Sequence, residues 1–286
     1  MKTISEVFTK EYLAYLNRLS LPWKQKVHNQ TMNGQRKSGA KGQSMEFSDF
    51  RPYMPGDDLR RVDKRSFARQ EQLYTKVYLE EKQAMVHLLL DASASMEGEK
   101  FWTASVLAAS VAYVAMKRND RVKLFVFSDG VTKVFQSGQG QTNFPSLLQF
   151  LERISCGGKT DLLRAAVQSI PRPKEGICYV FSDGFSQDDP AKALQRLSHA
   201  RQKLHLVQVL TPEEAAPKML GDFRLTDRET EAFLDLSIDA VLLESYSQAL
   251  RQFQGALRQS CEKSGGRFVS MTTQKEYRAW MQAIIG

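Results

Sequence analysis

The sequence has few residues of the types that bind zinc or form disulfide bridges. It contains three cysteines and four histidines among 286 residues. The cysteines are odd in number and far apart, which fits neither a disulfide framework nor a zinc site built from close cysteine pairs. No two histidines have the spacing of a ligand pair, so we expect reduced thiols and core or surface histidines. These residues are Cys156, Cys178, Cys261, His28, His87, His199 and His205.

The sequence also lacks a long hydrophobic run. Its longest mostly apolar stretch, residues 106–116, is interrupted by Ser110 and Tyr113. That stretch is much shorter than the roughly 20 residues needed to cross a bilayer. The N-terminal residues include Glu6 and Glu11 and contain no apolar block followed by a small-residue cleavage site, so they do not have the pattern of a secretory signal. We therefore expect a cytoplasmic protein that does not bind a membrane.

Positive charge is in excess, but it is not concentrated in one run. The chain has 40 Lys and Arg against 32 Asp and Glu. Residues 1–82 carry 16 against 10, and the remaining 204 residues carry 24 against 22. Because the basic residues of the N-terminal third are interspersed with acidic ones, we interpret them as a solvated face. A nucleic-acid-binding protein that uses this segment, with Phe47, Phe50 and Tyr53 near Arg51 as stacking platforms, is an alternative.

Two segments with different sequence patterns divide the chain. Residues 1–82 begin with apolar positions about 3.6 residues apart, which predicts an amphipathic helix ending before Pro22, followed by a polar loop and a densely charged stretch. In residues 83–286 apolar strands alternate with amphipathic helices. This alternation predicts an α/β fold with a doubly wound, mostly parallel sheet and helices on both faces, because parallel strands need crossover connections. Residues 221–239 interrupt the pattern and predict a polar hairpin.

Polar side chains follow the two strands that end on a carboxylate. Asp91, Ser93 and Ser95 come directly after one apolar strand, and Asp183 ends another. Between them, Thr160 follows a Gly-Gly pair at the start of a helix. In an extended loop alternate residues point to one side, so the first three residues aim their oxygens at one point. Such a set suits a hard cation such as Mg²⁺, which keeps water ligands that a carboxylate of a partner can displace.

Each of these motifs also has a purely structural interpretation. A D-x-S sequence at a strand end is often a turn followed by a helix cap, and S-D-G is a common turn signal. The occurrence of all three elements in this order favours a metal site over a coincidence of turns.

In these five positions the sequence resembles a von Willebrand factor A-like domain with an intact metal-ion-dependent adhesion site. The D-x-S-x-S motif of that family matches Asp91, Ser93 and Ser95, its distant Thr matches Thr160, and its strand-end Asp matches Asp183. The resemblance covers the second segment of the chain. It implies a von Willebrand factor A-like, Rossmann-like fold that binds Mg²⁺ or Mn²⁺ through these side chains.

The charged stretch before this segment resembles the signature of the bacterial domain-of-unknown-function family 58, which directly precedes such a domain. Lys64 departs from the family pattern, because an aromatic residue usually follows the R-x-D element. Many relatives carry N-terminal membrane segments. This sequence shows no such segment, so it resembles the soluble branch of the family. The resemblance also implies association with MoxR-type AAA+ ATPases. The matching residues are Gly42, Glu46, Phe47, Arg51, Tyr53, Pro55, Gly56, Asp57, Asp58, Arg60, Asp63, Ala68, Arg69 and Lys76.

The charges of this stretch have an interpretation that is independent of any family. Arginine forks bind carboxylates in bidentate pairs, so an ion-pair network can fasten the stretch to the α/β domain as a latch. The alternative is a phosphate or acidic-partner site made by the same arginines. The residues concerned are Arg51, Asp57, Asp58, Arg60, Arg61, Asp63, Arg65 and Arg69.

These features predict a non-enzymatic, metal-dependent protein-interaction module, an adaptor in protein assembly or remodelling. Asp91, Ser93, Ser95 and Thr160 are expected to ligate Mg²⁺ or Mn²⁺, with Asp183 holding a coordinated water, and an Asp or Glu of a partner completes the coordination. The enzymatic alternative is a metal-dependent phosphoester hydrolase that uses Asp91 or Asp183. It is disfavoured because Ser93 occupies the position where an aspartyl-phosphate enzyme of the D-x-D type has a carboxylate.

Overall fold

Contacts divide the chain into two units. Residues 1–22 and 84–286 form one unit, and residues 23–83 form the other. The sequence-based boundary at residue 82 differs from this division. It groups the N-terminal helical segment with the charged stretch, whereas the contacts group that segment with residues 84–286. The polar loop expected after Pro22 lies outside the described residues. The computed structural model describes residues 3–21, 45–63, 73–80, 83–138, 140–186, 188–229, 232–273 and 277–285.

The smaller unit contains a pair of antiparallel strands. These are β1 (Met45–Pro52) and β2 (Tyr74–Glu80). Their register shifts between Phe47 and Asp49, as in a β-bulge, which bends the bulged strand locally. A short 3-10 turn, Leu59–Arg61, lies in the connection between the strands.

The described strands of the larger unit form a central sheet and a separate hairpin. The strands are β3 (Met85–Asp91), β4 (Arg121–Phe127), β5 (Val131–Gln136), β6 (Gly176–Ser182), β7 (Gln202–Leu210), β8 (Gly221–Thr226), β9 (Phe233–Ile238) and β10 (Arg267–Thr272). Six of them form one sheet in the order β10-β7-β6-β3-β4-β5, in which only β5 is antiparallel to its neighbour. The predicted hairpin is the antiparallel pair β8–β9. Strands β3 and β6 are central and almost wholly buried, which explains why most of their residues are apolar.

Helices flank this sheet, and none of those described is both long and apolar enough to span a membrane. The helices are α1 (Ile4–Val7), α2 (Lys10–Leu16), α3 (Glu99–Lys117), α4 (Phe144–Glu152), α5 (Leu162–Ser169), α6 (Pro190–His199), α7 (Pro212–Ala215), α8 (Ala240–Glu262) and α9 (Tyr277–Ile285). In α3, 16 of the 19 residues are buried. Small side chains, namely Ala, Val, Ser and Thr, make up most of its sequence, and they suit a helix that is buried nearly all round.

Alternate residues of β3 face different helices. Leu89 belongs to a buried cluster with side chains of α5, α6 and α8. Its neighbours Leu88 and Leu90 point to the opposite face, and α3, which contributes nothing to that cluster, packs against β3, β4, β6 and β7. The prediction of a mostly parallel sheet flanked by helices is therefore confirmed.

The N-terminal segment forms two short helices, so the prediction of one continuous amphipathic helix is wrong. The break occurs at Thr9, whose side chain accepts a hydrogen bond from the Tyr12 amide at 3.3 Å and caps the start of α2. The rings of Phe8 and Phe144 pack edge to face with centroids 5.1 Å apart, and the Tyr12 and Ser110 hydroxyls lie 2.9 Å apart. These contacts join the segment to α3 and α4 of the larger unit.

Candidate functional site

The two strands that end on carboxylates are neighbours at the centre of the sheet. Strands β3 and β6 are parallel, and Leu90 pairs with Phe181. The register therefore brings Asp91 level with Ser182 at the same edge of the sheet. The Ser182 hydroxyl donates a hydrogen bond of 2.6 Å to Asp91 Oδ2. This edge, at the carboxyl ends of the strands, is where sheets of this kind bind ligands.

Asp91 is fully buried and both of its carboxylate oxygens accept a hydrogen bond. Oδ2 accepts from Ser182, and Oδ1 accepts from the Ser93 amide at 2.9 Å. Burial and then the neighbouring Asp183 carboxylate raise the pKa of Asp91 to about 7, against the opposing effect of these hydrogen bonds. The two strand-end carboxylates thus share one region of low dielectric, where a cation would relieve their repulsion.

Hydrogen bonds through Ser93 and Ser95 link Asp91 to Asp183. The Ser93 and Ser95 hydroxyls lie 3.1 Å apart and share a hydrogen bond. The Ser95 hydroxyl donates to Asp183 Oδ2 at 2.8 Å, while Asp183 Oδ1 accepts from the Phe185 amide at 3.0 Å. Four of the five predicted metal ligands therefore belong to one hydrogen-bonded network.

The loop that carries Thr160 is hydrogen-bonded to the loop that carries the serines. The Ala94 amide donates to the Gly158 carbonyl at 3.0 Å, and the Gly157 amide donates to the Ala92 carbonyl at 2.8 Å. Gly158 has a φ of +79°, and a Cβ atom there would lie 3.3 Å from the Ser128 hydroxyl. A glycine is needed at this position because other residues rarely adopt that φ.

Thr160 itself is buried, and its hydroxyl binds a residue of the hairpin. Thr160 Oγ1 donates to Glu229 Oε1 at 2.9 Å, and the Thr160 amide donates to Glu229 Oε2 at 3.3 Å. Glu229 lies in the connection between β8 and β9. The next residue, Asp161, caps α5 by accepting a hydrogen bond from the Arg164 amide at 2.8 Å. Thr160 is thus free of the capping role that Asp161 fills.

A buried lysine that the sequence pattern does not indicate lies at the centre of this edge. Lys100 Nζ lies 3.0 Å from Asp183 Oδ2 and 2.7 Å from Glu214 Oε1, and its side chain is only 4% exposed. Burial alone would lower the pKa of Lys100, but the Asp183 and Glu214 carboxylates raise it overall. Lys100 is therefore a fixed positive charge in the site. Lys100 lies in the first turn of α3 beside Glu99, and the local sequence does not indicate its pairing with Asp183.

The site also contains two acidic residues, Glu214 and Glu229, that the strand-end pattern does not indicate. Glu214 belongs to a capping box of α7, in which its carboxylate accepts from the Thr211 amide. The T-P-E-E pattern predicts this capping box, but it does not predict the pairing of Glu214 with Lys100. Glu229 has no local signal, because only the fold of the hairpin brings it to Thr160.

An open cleft of about 1020 Å³ borders the network. Ser95 and Asp183 line it, and the described residues of its lining include six carboxylates and two cationic side chains, Lys100 and Arg228. In the described part of the chain, no group of three or more His, Cys, Asp or Glu side chains is arranged to hold a metal ion. A cation in this cleft would therefore be bound through hydroxyl as well as carboxylate oxygens, a donor set that fits Mg²⁺ or Mn²⁺.

Comparison with known proteins assigns the chain to a family. A family model described as "Protein of unknown function DUF58" matches residues 49–255, well over half of the sequence. The chain belongs to the DUF58 family. The match includes the charged stretch from residue 49 onward, the five candidate metal-site residues, Lys100 and Glu229.

Individual relatives of this DUF58 protein are distant. The uncharacterized protein Rv1480 of Mycobacterium tuberculosis is 22% identical over 275 residues, which cover 93% of this chain and 86% of the relative. Among solved structures, BatB from Bacteroides thetaiotaomicron is 18% identical with a TM-score of 0.42. The matched region covers 70% of this chain and 95% of the BatB chain. An aerotolerance-related membrane protein from Bacteroides fragilis is 20% identical with a TM-score of 0.45, with coverages of 70% and 96%.

In the charged stretch of this DUF58 protein, Asp57 makes three hydrogen bonds. Arg51 Nη2 binds its Oδ1, while the Met54 amide at 3.0 Å and the Thr75 hydroxyl at 3.1 Å bind its Oδ2. The hydrogen bond from Met54 and then that from Arg51 lower the pKa of Asp57. These bonds tie the turn after β1 to β2 within the smaller unit.

The other predicted latch residues have local roles or lie outside the described residues. Asp58 caps the 3-10 turn by accepting from the Arg60 amide at 3.0 Å, and the Asp63 amide donates to the Tyr74 carbonyl at 2.8 Å. Fastening of this stretch to the α/β domain stays a prediction. The signature positions and latch candidates outside the described residues are Gly42, Lys64, Arg65, Ala68 and Arg69.

Proposed function

We propose that this DUF58 protein is a non-enzymatic, metal-dependent protein-interaction module, and that its larger unit is a von Willebrand factor A-like domain. The observation that carries the proposal is the hydrogen-bonded network of Asp91, Ser93, Ser95 and Asp183 at the edge of the sheet, with Thr160 on the adjoining loop. Three hydroxyls and two buried carboxylates form a donor set for Mg²⁺ or Mn²⁺.

Each residue of the set has a distinct role in this proposal. Ser93, Ser95 and Thr160 would bind the ion through their hydroxyl oxygens. Asp91 holds the Ser93 backbone and keeps carboxylate lone pairs available for the ion. Asp183 orients the Ser95 hydroxyl and can accept a hydrogen bond from a coordinated water. The bound ion supplies a positive site with exchangeable waters that an Asp or Glu side chain of a partner can replace.

The charge of the cleft makes the ion necessary for this kind of recognition. Six carboxylates and two cations line the cleft, so an acidic side chain of a partner meets net repulsion there unless a further cation is present. Partner binding is therefore expected to require the metal.

The surface next to the cleft supports an interaction role. Large apolar side chains are exposed on the hairpin and its flanks, and exposed apolar patches are typical of protein-binding surfaces. They are Met219, Leu220, Leu225, Phe233, Leu234 and Val241. For the partner we propose, from the family resemblance, a MoxR-type AAA+ ATPase in the cytoplasm.

Calorimetric titration with Mg²⁺ and Mn²⁺ tests the metal site. We expect one ion per chain, with affinity at least roughly tenfold weaker in Asp91→Asn, because this change removes a carboxylate that both offers oxygens to the ion and holds Ser93 in place. Thr160→Val removes one hydroxyl ligand at nearly constant volume and should have a similar effect. Thr226→Val is the matched control, because it removes an exposed hydroxyl that lines the same cleft but does not belong to the five residues.

Circular dichroism establishes that each variant is folded, and a pull-down with a purified MoxR-type ATPase, with and without chelator, tests the partner. Ion affinity that is the same in wild type, Asp91→Asn and Thr160→Val would refute the site. Chelator-resistant capture of the ATPase would refute metal-dependent recognition while leaving the metal site intact.

A further inference from the structure

A carboxylate of the chain itself already lies at the candidate metal site. Glu229 accepts two hydrogen bonds from Thr160, one from the hydroxyl at 2.9 Å and one from the amide at 3.3 Å. Thr160 is one of the proposed hydroxyl ligands. A carboxylate at its hydroxyl is therefore next to any ion that this hydroxyl binds.

The local backbone holds Glu229 in this position. The Glu229 amide donates to Asp227 Oδ1 at 2.7 Å, and the Asp227 amide donates to the Ala232 carbonyl at 2.8 Å. These bonds fix the start and the end of the connection between β8 and β9. In this position the Glu229 side chain lines the cleft.

Glu229 takes this position although the cleft is already rich in negative charge. Asp183, Glu214 and three other carboxylates line the same cleft. A carboxylate added to such a region is repelled unless hydrogen-bond donors or a cation compensate. The two donors of Thr160 provide part of that compensation, and a divalent ion bound beside Thr160 would provide more.

The hairpin that carries Glu229 has little support from the rest of the fold. Among the described strands, β8 and β9 pair only with each other. Most of their side chains are exposed, and the pair between Arg224 and Asp235 lies on the surface. An isolated two-stranded hairpin is marginally stable in water. Few buried contacts therefore oppose movement of the hairpin away from the site.

We infer that Glu229 is an internal ligand that occupies the place of the partner's carboxylate, so that a partner must displace the hairpin in order to bind. The inference rests on the proposed function, because it assigns a competitor to the same metal site. It also gives the hairpin at residues 221–239 a role. The hairpin closes the site when no partner is present, and its exposed apolar side chains lie beside the position that the partner takes.

Water-proton relaxation with bound Mn²⁺ tests the inference, because the effect depends on how many water molecules the ion carries. The proteins are the full chain, Glu229→Ala, and the control Glu213→Ala, which removes an exposed carboxylate on α7. Free Mn²⁺ is measured by electron paramagnetic resonance, so occupancy is known. We expect Glu229→Ala to carry about one more water per bound ion than wild type and Glu213→Ala, because one of the ion's roughly six positions becomes open.

Acetate is the second probe, since it is the simplest free carboxylate. When the tethered Glu229 carboxylate fills the position in about nine of ten molecules, acetate should bind Mn²⁺-loaded Glu229→Ala roughly tenfold more tightly than wild type. Hydrogen exchange supplies a readout that does not depend on acetate. Mn²⁺ should slow exchange of the Asp227 and Glu229 amides in wild type, and the Asp227 amide should show no such slowing in Glu229→Ala.

The outcomes separate the inference from the proposed function. Mn²⁺ binding with equal water number and equal acetate affinity in wild type and Glu229→Ala would overturn the inference and leave the metal site intact. Absence of Mn²⁺ binding in all three proteins would overturn both. A gain of water and of acetate affinity in Glu213→Ala as large as in Glu229→Ala would show a general charge effect and would also overturn the inference.

Discussion

Replacing Lys100 with methionine should cost the protein a large share of its stability. At 3.0 Å from Asp183 Oδ2, the ammonium group interacts with the carboxylate by about 5 kcal/mol at an effective dielectric constant of about 20. Part of this gain offsets the desolvation of the two charges in wild type. In Lys100→Met the Asp183 carboxylate stays buried without its cation, and breaking a buried pair in this way typically costs about 3–5 kcal/mol.

A second substitution separates the lost charge pair from lost packing. In Lys100→Met/Asp183→Asn the unpaired charge is absent, so we expect about half or more of the lost free energy of unfolding to return. The assay is urea unfolding followed by circular dichroism at pH 7.5 in chelator, for wild type, both single variants and the double variant. A loss below about 1 kcal/mol in Lys100→Met, or purely additive effects in the double variant, would refute the argument that this pair stabilises the site.

Two further predictions concern stability outside the site. Burial lowers the pKa of His205 to about 3, so as pH falls below about 6.5 the unfolded state binds a proton that the folded state does not. Between pH 7.5 and 5 this should remove about 2 kcal/mol from the free energy of unfolding. In His205→Phe, which keeps a ring against Tyr179, the fall in the free energy of unfolding over this pH range should be smaller by that amount. A pH dependence equal to that of wild type would contradict the assignment. A Cβ atom at Gly266 would lie 1.5 Å from the Leu204 carbonyl oxygen, so Gly266→Ala should destabilise by about 1–3 kcal/mol or more. Gly255, in α8 with no atom near its Cβ position, is the matched control, since Gly255→Ala should stabilise by about 0.5–1 kcal/mol in thermal unfolding.

The sequence predicts the strand-end residues well because apolar runs determine where strands stop. Asp91 and Asp183 each follow such a run, and parallel neighbours bring their carboxyl ends together. Lys100 and Glu229 could not be predicted in the same way. They reach Asp183 and Thr160 across 83 and 69 residues of sequence, and no local pattern encodes an approach of that kind.

The N-terminal helices show a different reason for an incorrect prediction. Apolar periodicity continues through Phe8, so the pattern indicates one helix, but periodicity reports which side chains face the core and not whether the backbone is continuous. Thr9 ends the run because its side chain takes the hydrogen bond of the Tyr12 amide. Here a local side-chain hydrogen bond to the backbone outweighs the helical pattern.

The uneven support of the two sides of the site has a consequence for kinetics. Asp91 and Asp183 are anchored to central strands that are buried on both faces, and such strands open last in hydrogen exchange. Glu229 is carried by a hairpin that pairs with no other described strand. With Glu229 as internal ligand, the first-order departure of the hairpin precedes partner binding. The observed association rate should then rise with partner concentration only up to a plateau, and the height of that plateau equals the opening rate of the hairpin.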